Sequence, residues 1–350
     1  MTVHDRSYRS SPVWILSAAL VVMLTAPAVT RSLGGELRLE DEGTFFVSNQ
    51  IVTTNASRGA ANAAPQPGDI SINGVYVHYR IPVRRQHPWP VIMVHGSGHT
   101  GNTFESTPDG REGWATYFVR QGYAVYVIDA AGRGRSGFNG TRVSQAKADG
   151  NLAAVPALGN MTHRSAWETF RFGPEPYVWW PDTQFPTGAL QQYLAQLVPN
   201  AESTLEGGGA NTSKGLAVLL DRIGPSVILV HSLGATYGRA VLPLRPGKVK
   251  ALIDVEGRQV CTPEPSAAEI KSSLSTVPFL FVAGDHGYTG ESLCRPVIAA
   301  MKAAGGNATY LYLPDKGLKG NTHMMMMDKN NLKVADVILG WMSENVRSRS

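Results

Sequence analysis

The sequence predicts an α/β protein with a mostly parallel central sheet covered by helices on both faces, and three observations predict it. Apolar runs of strand length recur at 90–95, 123–129, 227–231, 251–256 and 277–283. Helix-like stretches separate them, as in Trp114-Ala-Thr-Tyr-Phe-Val-Arg-Gln-Gly122, where a glycine closes an amphipathic pattern. The runs are also apolar throughout instead of alternating. Continuous Val, Ile and Leu is how a strand reads when both of its faces are buried, as in a parallel sheet between two helical layers. Such sheets bind ligands beyond the carboxyl ends of their strands.

Taken in order, the chain opens with Arg6 and Arg9, then an uncharged stretch over 10–30, then the small-x-small pattern Ala26-Pro-Ala28. The apolar part is short for a membrane span, so residues 1–28 read as a secretory signal peptide, with an uncleaved anchor as the alternative. Residues 29–69 are polar and short of core side chains, and read as a surface lead-in. One large α/β domain with an embedded cap is expected over 70–350. Val75-Tyr-Val-His-Tyr alternates as an antiparallel strand does, and Thr309-Tyr-Leu-Tyr-Leu reads as the last strand. Between about 138 and 214 the alternation stops. That stretch holds Trp167, Phe170, Phe172, Tyr177, Trp179, Trp180, Phe185 and Tyr193. It is too long for a structureless loop, so it reads as a helical cap insert over the strand ends. Its rings suit an apolar substrate pocket, or they glue the insert to the body.

The net charge of +5 comes without a basic cluster, so nothing marks a nucleic-acid surface. Cys261 and Cys294 are the only cysteines. In an exported protein they are most simply one disulfide, with two buried thiols as the alternative, and they have no histidine partners at zinc-ligand spacing. Export places the protein in the periplasm or outside the cell, with no stable membrane partner once the signal is removed. No residue pattern speaks for an oligomeric state.

The segment Val227-Ile-Leu-Val-His-Ser232-Leu-Gly-Ala drives an apolar strand straight into a serine followed by small residues. A sharp strand-to-helix turn exposes a serine Oγ and aims the first free helix N–H groups at the same point. Val230 stands where the G-x-S-x-G pattern would have its first glycine, and the plainer reading is a buried strand meeting a helix N-cap. Two further motifs follow strands: Val94-His-Gly-Ser97-Gly98, and Asp129-Ala-Ala-Gly-Arg-Gly-Arg-Ser-Gly137. Together the three resemble the α/β-hydrolase superfamily over nearly the whole chain after Asp69. Thr107-Pro-Asp-Gly-Arg111, Asp182-Thr-Gln-Phe-Pro186, Asn321-Thr-His-Met-Met-Met and a Glu after the strand that follows the nucleophile helix resemble a small group of exported bacterial esterases. That resemblance implies the α/β-hydrolase fold, hydrolysis of carboxylic esters and a Ser-Glu-His triad. The group's pattern can place adjacent cysteines where this chain has Ser97-Gly98, so any role of those cysteines does not carry over.

In this superfamily the order is Ser, acid, His. Beyond Ser232 stand two histidines, His286 directly after a strand and His323 in a Gly/Asn loop after the last strand. The imidazole has to swing over the nucleophile from that last loop, which favours His323. His231 lies on the wrong side of the strand, and His95 reads as a support for the oxyanion loop. For the acid, Glu256 ends the strand after the nucleophile strand, and its longer side chain suits the extra reach. Asp285 is the alternative, although it follows Gly284 immediately and reads as a turn residue capping N–H groups. Asp254 reads as a buried polar group in need of its own partner. The oxyanion donors are expected to be the N–H groups of Leu233 and Ser97, with Gly98 as the alternative second donor.

No cofactor and no metal are expected. Gly132-Arg-Gly134 lacks the third glycine and partner acid of a nucleotide loop, and Met324-Met-Met-Met327 reads as flexible core filling instead of copper ligands. The expected activity is a serine esterase acting through an acyl-enzyme on a small or polymeric ester. The alternatives are a lactonase or amidase on the same triad, or a non-catalytic binding protein on a hydrolase scaffold.

Overall fold

The computed structural model describes residues 35–54, 67–201, 207–286 and 290–346. The signal-peptide reading of 1–28 falls outside the described residues. Among those described, ten strands form: β1 (Leu39–Val47), β2 (Gln50–Thr54), β3 (Gly68–Ile72), β4 (Val75–Pro82), β5 (Val91–Val94), β6 (Val125–Asp129), β7 (Ser226–His231), β8 (Val249–Val255), β9 (Phe279–Ala283) and β10 (Ala308–Tyr312). Eight make one sheet in the order β1-β4-β6-β5-β7-β8-β9-β10, and β2 pairs with β3 alone. β6, β5, β7, β8, β9 and β10 run parallel, while β4 is antiparallel to β6 and β1 antiparallel to β4.

The period of two decides which layer each core residue joins. In β7, Val227 and Leu229 pack with Phe118, Val334 and Ile338 of the helices Trp114–Arg120 and Asn331–Asn345. Ile228 and Val230 face the other way, onto Leu216, Leu220 and Val241 of the helices Gly208–Ile223 and Gly234–Leu244. Every residue of β7 is buried. At about 1.5–3 kcal/mol per buried aliphatic side chain, such a strand is stable only between two apolar layers. The nearly polar-free sequence of β7 is the record of that position.

Two boundaries differ from the sequence reading. The segment read as a surface lead-in supplies the edge strand β1, in register with β4 from Leu39↔Pro82 to Val47↔Val75. Its acidic run hid it. Glu42 pairs with Arg80 at 2.7 Å, Glu40 with Arg85 at 3.3 Å, and Asp41 accepts from Tyr79 Oη at 2.9 Å. On an edge strand, cross-strand pairs of this kind replace apolar packing. The insert is also shorter than 138–214, because Gly208–Ile223 is one helix whose Leu216, Leu219 and Leu220 belong to the body. The remaining cap carries the short helices Thr141–Ala148, His163–Thr169 and Leu190–Ala195.

The cap aromatics hold the insert together. Trp167 and Trp179 centroids lie 4.5 Å apart, Phe172 and Phe185 4.5 Å, and Phe172 and Tyr193 5.1 Å in edge contact. Trp167, Phe170, Phe172, Phe185 and Tyr193 are all buried. The four residues Met324 to Met327 are buried as well and pack in the same core.

Cys261 and Cys294 are bonded, closing a loop of sequence separation 33 between the turn after Glu256 and the helix Gly290–Ala303. In the chain-entropy account, a cross-link of this span stabilises by about 3–4 kcal/mol. Cys261→Ser/Cys294→Ser is therefore expected to lower the denaturant midpoint by an amount of that order, read by urea unfolding of the oxidised wild type beside the double variant.

Candidate active site

Ser232 and Glu256 are held in the same way. Each directly follows the last residue of a parallel strand, β7 or β8, and each has left-handed backbone, with φ of 50° and 52°. Their N–H groups continue the sheet ladder: Ser232 donates to Val255 O and Glu256 to Val282 O, both at 3.0 Å. The peptide is pinned while the chain reverses, so both side chains leave the sheet above its carboxyl edge. Such backbone costs a non-glycine residue about 1–3 kcal/mol and persists only where its surroundings enforce it.

Two glycines permit the serine turn. A Cβ at Gly234 would lie 2.8 Å from the carbonyl oxygens of Val94 and His95, so the turn presses against the end of β5. A Cβ at Gly238 would meet Val230 Cγ1 at 2.8 Å. Val230 therefore takes the place of a small residue in the motif because the room is made one helical turn later.

His323 Nδ1 lies 2.6 Å from Glu256 Oε2, and both residues are buried. Glu256 Oε1 accepts from Gly284 N–H at 2.8 Å and from Arg171 Nη2 at 2.8 Å. His323 is fixed by its backbone too, its N–H donating to Phe170 O at 3.0 Å and its O facing His231 Nε2 at 3.0 Å. Burial alone would raise the Glu256 carboxyl. Arg171, His323 and the Gly284 N–H outweigh burial and hold it below the ordinary value. Burial pushes the His323 imidazole down, with Glu256 opposing and Arg171 and Arg258 adding to the shift. A lowered carboxyl beside a lowered imidazole favours the neutral ring with its proton on Nδ1, toward Glu256.

Ser232, His323 and Glu256 line one cavity of about 510 Å³ together with Ser97, Leu233, Arg171 and Arg258. Glu168, Thr169 and Gln259 complete its wall. Polar side chains and apolar surface share this wall, and the cap rings instead join the insert to the body, the second of the two roles the sequence offered them. Arg171 is the site residue that sequence reading missed. It sits in an aromatic run of the insert and also has left-handed backbone, φ 55°, which no local sequence signal marks.

No family model matches the chain. It is similar to the atomic-resolution structure of a bacterial esterase, with 35% identity, a TM-score of 0.83, and coverage of 90% of this chain and 99% of that one. It is also 29% identical to the probable secreted lipase phiG of a fungal species, over 77% of this chain and 86% of that protein. The chain belongs to the α/β-hydrolase superfamily, in its esterase group.

In this hydrolase the loop after β5 is built to present N–H groups. His95 Nδ1–H donates to Gly96 O at 2.9 Å, and its Nε2 accepts from Ala130 N–H at 3.0 Å. Arg133 Nη1 donates to Gly96 O at 2.9 Å. The Gly98 N–H is committed to Asn200 Oδ1 at 2.7 Å. Among the described residues the N–H groups of Ser97 and Leu233 carry no hydrogen bond. Buried His99, pushed down to about 3 chiefly by desolvation, braces the loop between Ser97 O at 2.7 Å and Tyr193 Oη at 3.0 Å.

The other sequence candidates stand apart from the base. His286 Nε2 lies 3.0 Å from Asp182 and its ring stacks on Trp180. Asp285 accepts from Gly320 N–H at 2.7 Å and Asn321 N–H at 3.0 Å, so it caps the loop that carries His323. Asp182, Asp285 and His286 offer ligand atoms within 4.8 Å of one another, but both Asp285 oxygens are already engaged by that loop. Asp254 is buried, accepts from Gly257 N–H at 2.6 Å, and has its carboxyl pushed well above the ordinary range by burial first and by the charge of Glu256.

Asp285→Asn keeps one acceptor and loses the charge behind both bonds. It is expected to cost about 1–3 kcal/mol of stability. Thermal unfolding should register this loss, while kcat should fall far less than in a Glu256 variant.

Proposed function

We propose that this hydrolase is an exported serine esterase in which Ser232 attacks the ester carbonyl, His323 takes the hydroxyl proton and Glu256 steadies the imidazole. The observation that carries the reading is the 2.6 Å contact of His323 Nδ1 with Glu256, facing the cavity that the left-handed Ser232 also lines. Proton removal by His323 leaves an imidazolium, which the adjacent carboxylate stabilises without taking the proton. As the carbonyl oxygen gains charge, it turns to the N–H groups of Ser97 and Leu233. Each such donor lowers the barrier by about 3 kcal/mol. The Gly98 alternative is less suited, since its N–H is held by Asn200. The tetrahedral intermediate collapses to an acyl-serine as His323 protonates the leaving alkoxide. Water, deprotonated by the same base, then releases the acid.

Export is supported by the disulfide and by the likeness to a secreted lipase, beside the signal-like pattern over 1–28. A cavity of about 510 Å³, with the guanidinium groups of Arg171 and Arg258 on a wall that is otherwise partly apolar, suits short acyl and alcohol parts better than long alkyl chains.

Ser232→Ala is expected to abolish turnover and fluorophosphonate labelling with the fold retained. Glu256→Gln, by favouring the wrong tautomer, is expected to lower kcat by up to ~10⁴-fold. Ester hydrolysis at the wild-type rate in Ser232→Ala would end the reading. On nitrophenyl esters of graded length, kcat/KM is expected to peak at short acyl groups, and a steady rise toward long chains would refute the short-acyl assignment.

A further inference from the structure

We infer that Arg171, brought in by the cap, is a positioning residue for the base: its guanidinium holds one oxygen of Glu256 so that the other stays aimed at His323. The inference rests on the triad proposed above. A glutamate has one more rotatable bond than the aspartate usual in such triads, and an untethered carboxylate would turn about it. Glu256 Oε2 is taken by His323 at 2.6 Å. Its Oε1 is held from both sides, by Gly284 N–H of the body at 2.8 Å and by Arg171 Nη2 of the cap at 2.8 Å.

The neighbouring residue acts on the base itself. Phe170 O accepts the His323 N–H, and the Phe170 ring lies over the imidazole at 5.9 Å and 15°. One dipeptide of the insert therefore grips His323 by backbone and ring, and Glu256 by charge. The left-handed backbone at Arg171, φ 55°, belongs to the same class of held distortion as Ser232 and Glu256. A cap joined to the body for stability alone would have no reason to place such a residue on the reacting groups.

The contact has an electrostatic consequence. Arg171 Nη1 lies 3.3 Å from His323 Nδ1. Nδ1–H points at Glu256, so the cation faces an N–H and opposes a second proton on the ring. Burial sets His323 low first, and Arg171 and Arg258 add to it against Glu256. Apart from Arg258 on the cavity wall, which is not hydrogen-bonded to the ring, the other groups around it do not supply this charge. His231 and His99 are kept neutral by burial, and Glu168 across the cavity pairs with Arg164 at 3.0 Å. The Asp254 carboxyl behind Glu256 is pushed well above the ordinary range by burial. On the loop of His323, Asp285 bonds Gly320 and Asn321, and buried Asp328, raised to about 7, bonds Thr322. Removing the Arg171 cation lets His323 take a proton at higher pH, so the acid limb of kcat/KM moves up. A limb set by Asp328 would stay where it is.

The test compares full-length wild type, Arg171→Met and Arg171→Lys on a nitrophenyl acetate ester across the acid to neutral range. Arg171→Met is expected to lose up to about 10²-fold in kcat, with an acid limb at higher pH. Arg171→Lys keeps the charge but not the fork, so its limb should stay near wild type while its kcat is intermediate. An unchanged limb in Arg171→Met, whether activity falls or not, overturns the inference and leaves Arg171 as a tie between cap and body. Should Arg171→Met fold poorly by circular dichroism, Arg171→Gln makes the same comparison. Wild type that hydrolyses no ester and takes no fluorophosphonate would sink the triad reading itself, an outcome distinct from failure of the arginine.

Discussion

The contact between Glu256 and His323 is where the sheet, the last loop and the cap meet. It requires that a strand end in a residue whose side chain leaves the sheet, and β8 does this as β7 does for Ser232. Both residues lend their N–H to the next strand and reverse the chain immediately afterwards. The parallel sheet thus sets the spacing of Ser232 and Glu256 through backbone hydrogen bonds, which do not depend on side-chain identity. The histidine has no such ladder beneath it.

That difference explains what surrounds the last loop. Arg111 donates to Met327 O at 3.0 Å and Asp328 O at 2.9 Å. Gln184 N–H donates to Gly320 O at 2.8 Å and Gln184 O accepts from Lys329 N–H at 2.6 Å. Asp328 accepts from Thr322 N–H at 2.8 Å and from Thr322 Oγ1 at 2.9 Å. The methionines bury the loop's far side at no cost in special geometry, since an unbranched thioether fits irregular space. The three segments through which the sequence resembles exported esterases, around Arg111, Gln184 and Asn321, converge on this one loop. Their shared pattern is the record of a histidine held by side chains because no strand holds it.

The sheet was legible because burial on both faces writes itself as continuous apolar sequence, and β5 to β9 could be read on that ground. Ser232 was legible through its strand and the small residues after it. Glu256 and Asp285 remained rivals, because both end strands, and only the distances to His323 and to the N–H groups of Gly320 and Asn321 separate them. Three features could not be read. β1 is an edge strand whose partners for its charges lie about forty residues on, in β4. Which of the two roles offered to the cap rings they take, lining a pocket or joining the insert to the body, is a property of folding geometry that composition does not carry. Arg171 acts across 85 residues of sequence, through a backbone conformation that no local preference announces.

The acidic run of β1 also governs how this molecule meets others of its kind. β1 stands at one end of the sheet, with its outer row of peptide groups unpaired by any strand of that sheet. An open strand edge is a template for another chain, and the usual result is stacking into aggregates. Glu40, Asp41 and Glu42 are exposed on that strand, and a second strand laid against it would have to strip water from these charged groups, two of them paired with Arg85 and Arg80. The same residues that made the strand hard to recognise are of the kind that blunts an open sheet edge.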